Sequence, residues 1–168
     1  MALKEYHVLN PDLKTDIADL KGDTRDLSTK VYDLVSRIDE DKLLLSRAYL
    51  DTSKDFFGIL LKSSTEMLLD FRIDMYNGLY DFFIDKEEIF IQQKINPIEK
   101  SFKIIYSHLK STVEEVLVCD KGENLKRNQI NFYIKNNKID TIGNYSLISS
   151  WFKNNRKKIV KHEAWITE

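Results

Sequence analysis

Phe56-Phe57-Gly58-Ile59-Leu60-Leu61, continued by Met67-Leu68-Leu69-Asp70-Phe71-Arg72-Ile73-Asp74-Met75-Tyr76-Asn77-Gly78-Leu79-Tyr80-Asp81-Phe82-Phe83, decides how the chain is read. Phe56, Leu60, Met67, Phe71, Met75, Leu79 and Phe82 recur every three to four residues, and Phe57, Leu61, Leu68 and Tyr76 widen the stripe. That spacing predicts one long amphipathic helix over about Thr52 to Asp85, on the order of 50 Å if unbroken, with Gly58 and Gly78 as places to bend. Such a stripe has to be covered by other helices.

Outward from it, the flanking segments carry the same period. Asn10-Pro11 reads as a cap and first helical position, starting a helix that runs to about Lys21. Leu27, Val31, Leu34, Val35 and Ile38 extend a second amphipathic segment from Thr24. Asn96-Pro97 restarts a helix that continues to Val118, with Ile98, Phe102, Ile105, Tyr106, Leu109, Val113, Val116 and Leu117 on its buried face. Asp120 to Asn124 is the clearest turn. A short helix over Leu125 to Lys135 follows, and a last one begins around Tyr145. Alternation is brief at Gln129 to Ile134 and in the first ten residues, where a short strand is possible. The expected fold is therefore all-α: a bundle of five to seven helices with one long central helix, a single helical domain over 1–168 with residues 1–10 as an N-terminal arm.

Composition suits a folded chain of that kind. Of 168 residues, 42% are apolar and 32% charged, with only five Gly and two Pro. A formal charge of −1 gives the whole molecule no field that would draw a polyanion, so any nucleic-acid affinity has to be local. The one cysteine, Cys119, excludes an intrachain disulfide and a cysteine-rich metal site and suits a reducing compartment. No apolar run of about 18 residues and no signal-peptide pattern is present, so the expected location is cytoplasmic, with no membrane partner.

Most candidate constellations have a packing explanation. Glu66, Asp70, Asp74 and Asp81 would share one helical face, but no Glu-x-x-His pair completes a bundle metal site, so we expect no metal and no cofactor. His7 and His108 are isolated. Phosphate-loop, nucleophile-elbow and zinc-ligand patterns are missing. What remains is the last quarter, where Lys153, Arg156, Lys157, Lys158 and Lys161 fall together with no acidic residue among them, and His162 follows Arg156 by six positions. An imidazole can take a proton from a ribose 2′-hydroxyl while a guanidinium stabilises the phosphorane. On a regular helix those two side chains would not share a face, so the helix must bend or end between them. The same residues also suit a plain charged helix C-terminus.

At Arg156-Lys157-Lys158-Ile159-Val160-Lys161-His162 the chain resembles the HEPN superfamily, abortive-infection type, whose signature places an arginine four to six residues before a histidine. Phe56-Phe57 and Phe71-Arg72-Ile73-Asp74 look like the long helix of such proteins. Lys157 departs from the polar residue that commonly follows the arginine, and only six residues follow His162. The resemblance implies a metal-independent endoribonuclease or RNA-binding protein of a bacterial or phage conflict system, acting as a homodimer. It makes His162 the general base, Arg156 the phosphate binder, and Lys153, Lys157, Lys158 and Lys161 an RNA-binding patch. The alternative is a non-catalytic helical protein that binds another protein, such as an antitoxin, inhibitor or assembly subunit.

Overall fold

The computed structural model describes residues 3–84, 89–119, 125–143 and 157–167; side chains are described in the same ranges except at 89–91, 119, 125–128 and 157. The chain divides into two compact units, Met1–Leu109 and Lys110–Glu168. Neither is a helical bundle. The described residues form ten strands and four α-helices, and the expected all-α fold is replaced by two antiparallel sheets.

In the first unit, β1 (Lys4–His7), β2 (Arg47–Asp51), β3 (Phe56–Leu61), β4 (Phe71–Tyr76), β5 (Leu79–Ile84) and β6 (Ile89–Lys94) lie side by side in chain order, every neighbouring pair antiparallel. Helices α1 (Asp12–Ile17), α2 (Gly22–Val35) and α3 (Glu40–Leu43) are inserted between β1 and β2, and α4 (Ile98–Leu109) follows β6.

The stretch expected to be one helix is thus three strands, and the reason lies at Asn77-Gly78. Both residues take positive φ, 48° and 74°, the requirement of a two-residue hairpin turn whose twist matches its strands. Tyr76 then faces Leu79 and Phe71 faces Ile84. Alternation through this hairpin sends Phe71, Ile73, Met75, Tyr80, Phe82 and Ile84 to one face, where none is more than 3% exposed. Phe57, Ile59 and Leu61 of β3 join them, fully buried. Burial of side chains of this size is worth about 1.5–3 kcal/mol each, which is what holds the helices on this face.

Helix α2 packs on β3 and β4, and α1 and α4 pack on α2. The spacing that marked Leu27, Val31, Leu34 and Val35 does describe α2, whose buried side they form. Just ahead of α1, Asn10 accepts from the Asp12 amide at 2.9 Å. Helix α2 is also fastened to the hairpin tip, since the Gly78 amide donates to Thr24 Oγ1 at 2.9 Å. His108, at the end of α4, is only 5% exposed; its Nδ1 lies 2.8 Å from the Ile104 carbonyl and its ring meets Phe82 edge-on.

The second unit is a four-stranded sheet in the order β10 (Lys157–His162), β7 (Thr112–Cys119), β8 (Leu125–Ile134), β9 (Asn137–Gly143). The helix expected to reach Val118 ends at Leu109, and β-branched Thr112 and Val113 open β7 instead. Lys135 and Asn136 form the β8–β9 turn, both with positive φ, so the Asn/Lys-rich patch at 135–138 is a second tight hairpin. One face of the sheet buries Val113, Ile130 and Phe132, and Asn131 on the other accepts from Gln129 and Thr141. Among the described residues no helix is long and apolar enough to cross a membrane.

Candidate functional site

Of the last quarter, where the sequence concentrated its chemistry, residues 157–167 are described. Arg156 and Lys153 lie outside the described residues. The run from Lys157 to His162 is strand β10, not a helix that bends before His162. On a strand, successive side chains alternate between faces, so Lys161 and His162 point to opposite sides of the sheet. Lys161 is exposed and paired with Glu114 at 3.3 Å; Lys158 is also exposed. His162 is only 8% exposed, and its Nε2 lies 2.7 Å from Glu115 Oε1 on β7. The histidine is thus buried in a close contact with a carboxylate across two strands. The segments that carried the HEPN resemblance, Phe56-Phe57 and Phe71–Asp74, lie on β3 and β4 rather than on a long helix.

A different constellation emerges on the outer face of the six-stranded sheet, the face turned away from the helices. Strand pairing sets Gly58, Asp74, Asp81 and Gln92 in one row across β3, β4, β5 and β6. Asp74 and Asp81 stand directly opposite each other, so their Cβ atoms are about 5 Å apart, and each residue is only 6% exposed. Two carboxylates at that separation repel, and burial strengthens the repulsion.

Asp74 has an answer to this. Arg72 donates to it in a fork, Nε to Oδ1 at 2.9 Å and a terminal nitrogen 2.6 Å from Oδ2. The guanidinium also lies over the Phe83 ring, 5.3 Å from its centroid. Even so, burial lifts the Asp74 carboxyl above the usual carboxylate range; Arg72 opposes the shift and the charge of Asp81 adds to it. Gly58 gives Asp74 its room, because a Cβ there would come within 2.7 Å of Asp74 Oδ1.

Asp81 is less well served. Tyr76 donates to its Oδ2 at 2.8 Å, and Gln92 in turn reaches the Tyr76 hydroxyl at 3.4 Å. That bond to Asp81, with burial second, raises the Tyr76 phenol above its ordinary value. Asp81 Oδ1 is buried and has no hydrogen-bond partner among the described residues.

Tyr76 also forms a wall of the neighbouring pocket, about 370 Å³, lined by Leu3, Asp51, Lys54, Phe56, Tyr76 and Asn77. Asp51 is held below the usual carboxylate range, first by the Ser53 hydroxyl, against an opposing effect of burial, and then by Lys54. Its Oδ1 takes both the Ser53 hydroxyl and the Ser53 amide, which shapes the turn Thr52–Lys54 at the pocket rim.

Asp74 and Asp81 were visible in the sequence only as two of four carboxylates on a supposed helix. In the structure Glu66 is in an exposed loop and Asp70 accepts from the Ser63 amide, so neither joins them. The signal that finds the pair is the symmetry of Asp74-Met75-Tyr76-Asn77-Gly78-Leu79-Tyr80-Asp81: in a two-residue hairpin, residues equidistant from the turn face each other. Comparison with protein-family models, with curated proteins and with solved structures finds no match to this chain.

Proposed function

We propose that the chain is a non-catalytic recognition protein that binds another protein through the outer face of the six-stranded sheet. One observation carries this reading: Asp81 Oδ1 is buried with no donor, beside a second carboxylate. An unsatisfied buried acceptor costs about 1–3 kcal/mol, and more when charged, so native structures hold few of them. A donor supplied by a partner would remove that cost, and the pocket beside Tyr76 offers the partner an adjoining foothold. Such unsatisfied groups concentrate where function overrides stability.

A nucleolytic role draws less from the geometry, because His162 is only 8% exposed, with Nε2 2.7 Å from Glu115. The recognition reading is tested by selecting displayed peptides on the native chain and on Asp81→Asn, which keeps the shape of the side chain and replaces its charge. Peptides enriched on the native chain should be lost on the variant. Equal enrichment on both, or none on either, overturns the proposal.

A further inference from the structure

Resting on that reading, we infer that the partner group received at Asp81 is the cationic head of a lysine or arginine side chain, its stem lying against Tyr76 and Phe56. Charge is the first reason. Arg72 turns both Nε and a terminal nitrogen to Asp74 rather than to Asp81. Among the described residues no cation is paired with Asp81, a residue 6% exposed. An anionic ligand would be repelled, and a neutral donor would satisfy the hydrogen bond but leave the charge. A cation satisfies both.

The surroundings fit a long side chain with a charged tip. Phe56 faces Tyr76 across β3 and β4, and both rings line the 370 Å³ pocket, which suits the methylenes of a basic residue. Tyr76 links that pocket to Asp81, lining the first and donating its hydroxyl to the second. Access to Oδ1 requires something to move. The exposed Gln92 is held on this side by a 3.4 Å bond to the Tyr76 hydroxyl, at the long limit for a hydrogen bond, so its amide is readily displaced by a stronger donor. The arriving cation would then replace Gln92 while Tyr76 keeps its bond to Oδ2.

Titration of the intact chain with N-acetyl-lysine methylamide, N-acetyl-arginine methylamide and the neutral N-acetyl-norleucine methylamide, followed by amide chemical shifts, tests this. Both basic compounds should shift the amides of Tyr76, Asp81 and Gln92 saturably, and norleucine should bind at least about tenfold more weakly. Asp81→Asn should lose about tenfold or more for the basic compounds while its remaining spectrum shows the native fold, and Gln92→Ala should bind them no worse than the native chain. Equal binding of norleucine, basic binding that survives Asp81→Asn, or no saturable shift at tens of millimolar overturns the inference. Asp81-dependent peptides that contain no basic residue would overturn it too, while leaving the recognition reading standing.

Discussion

Among the described residues, each of the two units holds a pair of buried ionisable side chains bridging neighbouring antiparallel strands, and the pairs are opposites. Glu115 and His162 set an acid against a base, Oε1 and Nε2 2.7 Å apart. Asp74 and Asp81 are alike; one borrows Arg72 and the other keeps an oxygen with no donor. The first pair is explained by the sheet it sits in. The second is not, since nothing in strand pairing requires two acids face to face. That difference teaches where to look for a partner: in a buried polar pair, complementarity marks structure and an unmet need marks a site.

The comparison breaks most visibly at the complementary pair. His162→Ala removes a buried side chain and its 2.7 Å contact to Glu115, and should cost about 3 kcal/mol in urea unfolding. Replacing both residues by leucine should recover most of that loss, because well-packed apolar side chains can substitute for a buried ion pair. A loss under about 0.5 kcal/mol for His162→Ala would mean that the pair contributes nothing and that the contrast is false.

Gly58→Ala should cost about 2 kcal/mol, since its Cβ would stand 2.7 Å from Asp74 Oδ1 and push that carboxylate out of the Arg72 fork. Its signature is loss of stability in the first unit with the amide resonances of Arg72 and Asp74 displaced. Asp81→Asn runs the other way. It removes a carboxylate whose Oδ1 is buried without a donor and should raise stability by about 1 kcal/mol while abolishing binding, a trade that a purely structural residue would not show.

The smallest expected effect is in pH dependence. The Asp74 carboxyl is raised in the folded state, so on raising pH the unfolded chain releases this proton first. Its contribution to stability is therefore complete below the ordinary carboxylate value and is lost as pH rises through the folded one. Asp51 is lowered and contributes with the opposite sign, so the measurement has to be a difference. Native chain minus Asp74→Asn, compared by urea midpoint from about pH 4 upward, should fall with pH. A flat or rising difference would show that burial does not disfavour the charge at Asp74.

Helices with one apolar side were legible in the residues, and α2 is the clearest case. The sheets were hidden by aromatic and apolar residues on both faces. Phe56, Leu60, Tyr76, Leu79 and Phe83 are half-buried on the outer face of β3, β4 and β5, and mixed with the buried set they imitate a period of three to four. The decisive local signal was Asn77-Gly78, whose two positive φ angles set the hairpin. At α4 and β7 the apolar pattern runs through without a gap, and only the passage from Leu109 to β-branched Thr112 and Val113 marks the change of element. The basic run was conspicuous as composition, but strand parity, which separates Lys161 from His162, depends on the element type. Asp81's missing donor lies further out of reach, because it depends on register and on neighbours from β4 and β6.

The placement of Asp74 and Asp81 about Asn77-Gly78 has a consequence for how the sheet assembles. In an antiparallel sheet, a slip of one residue turns every side chain of a strand to the other face. Here such a slip would drive Asp74 or Asp81 among Phe57, Ile59 and Phe82, where a carboxylate finds neither water nor a cation. Both faces of these strands carry apolar residues, so hydrophobicity alone discriminates weakly between the two arrangements. The acids do discriminate, and they act as a proofreading mark that makes the misaligned sheet the costlier state.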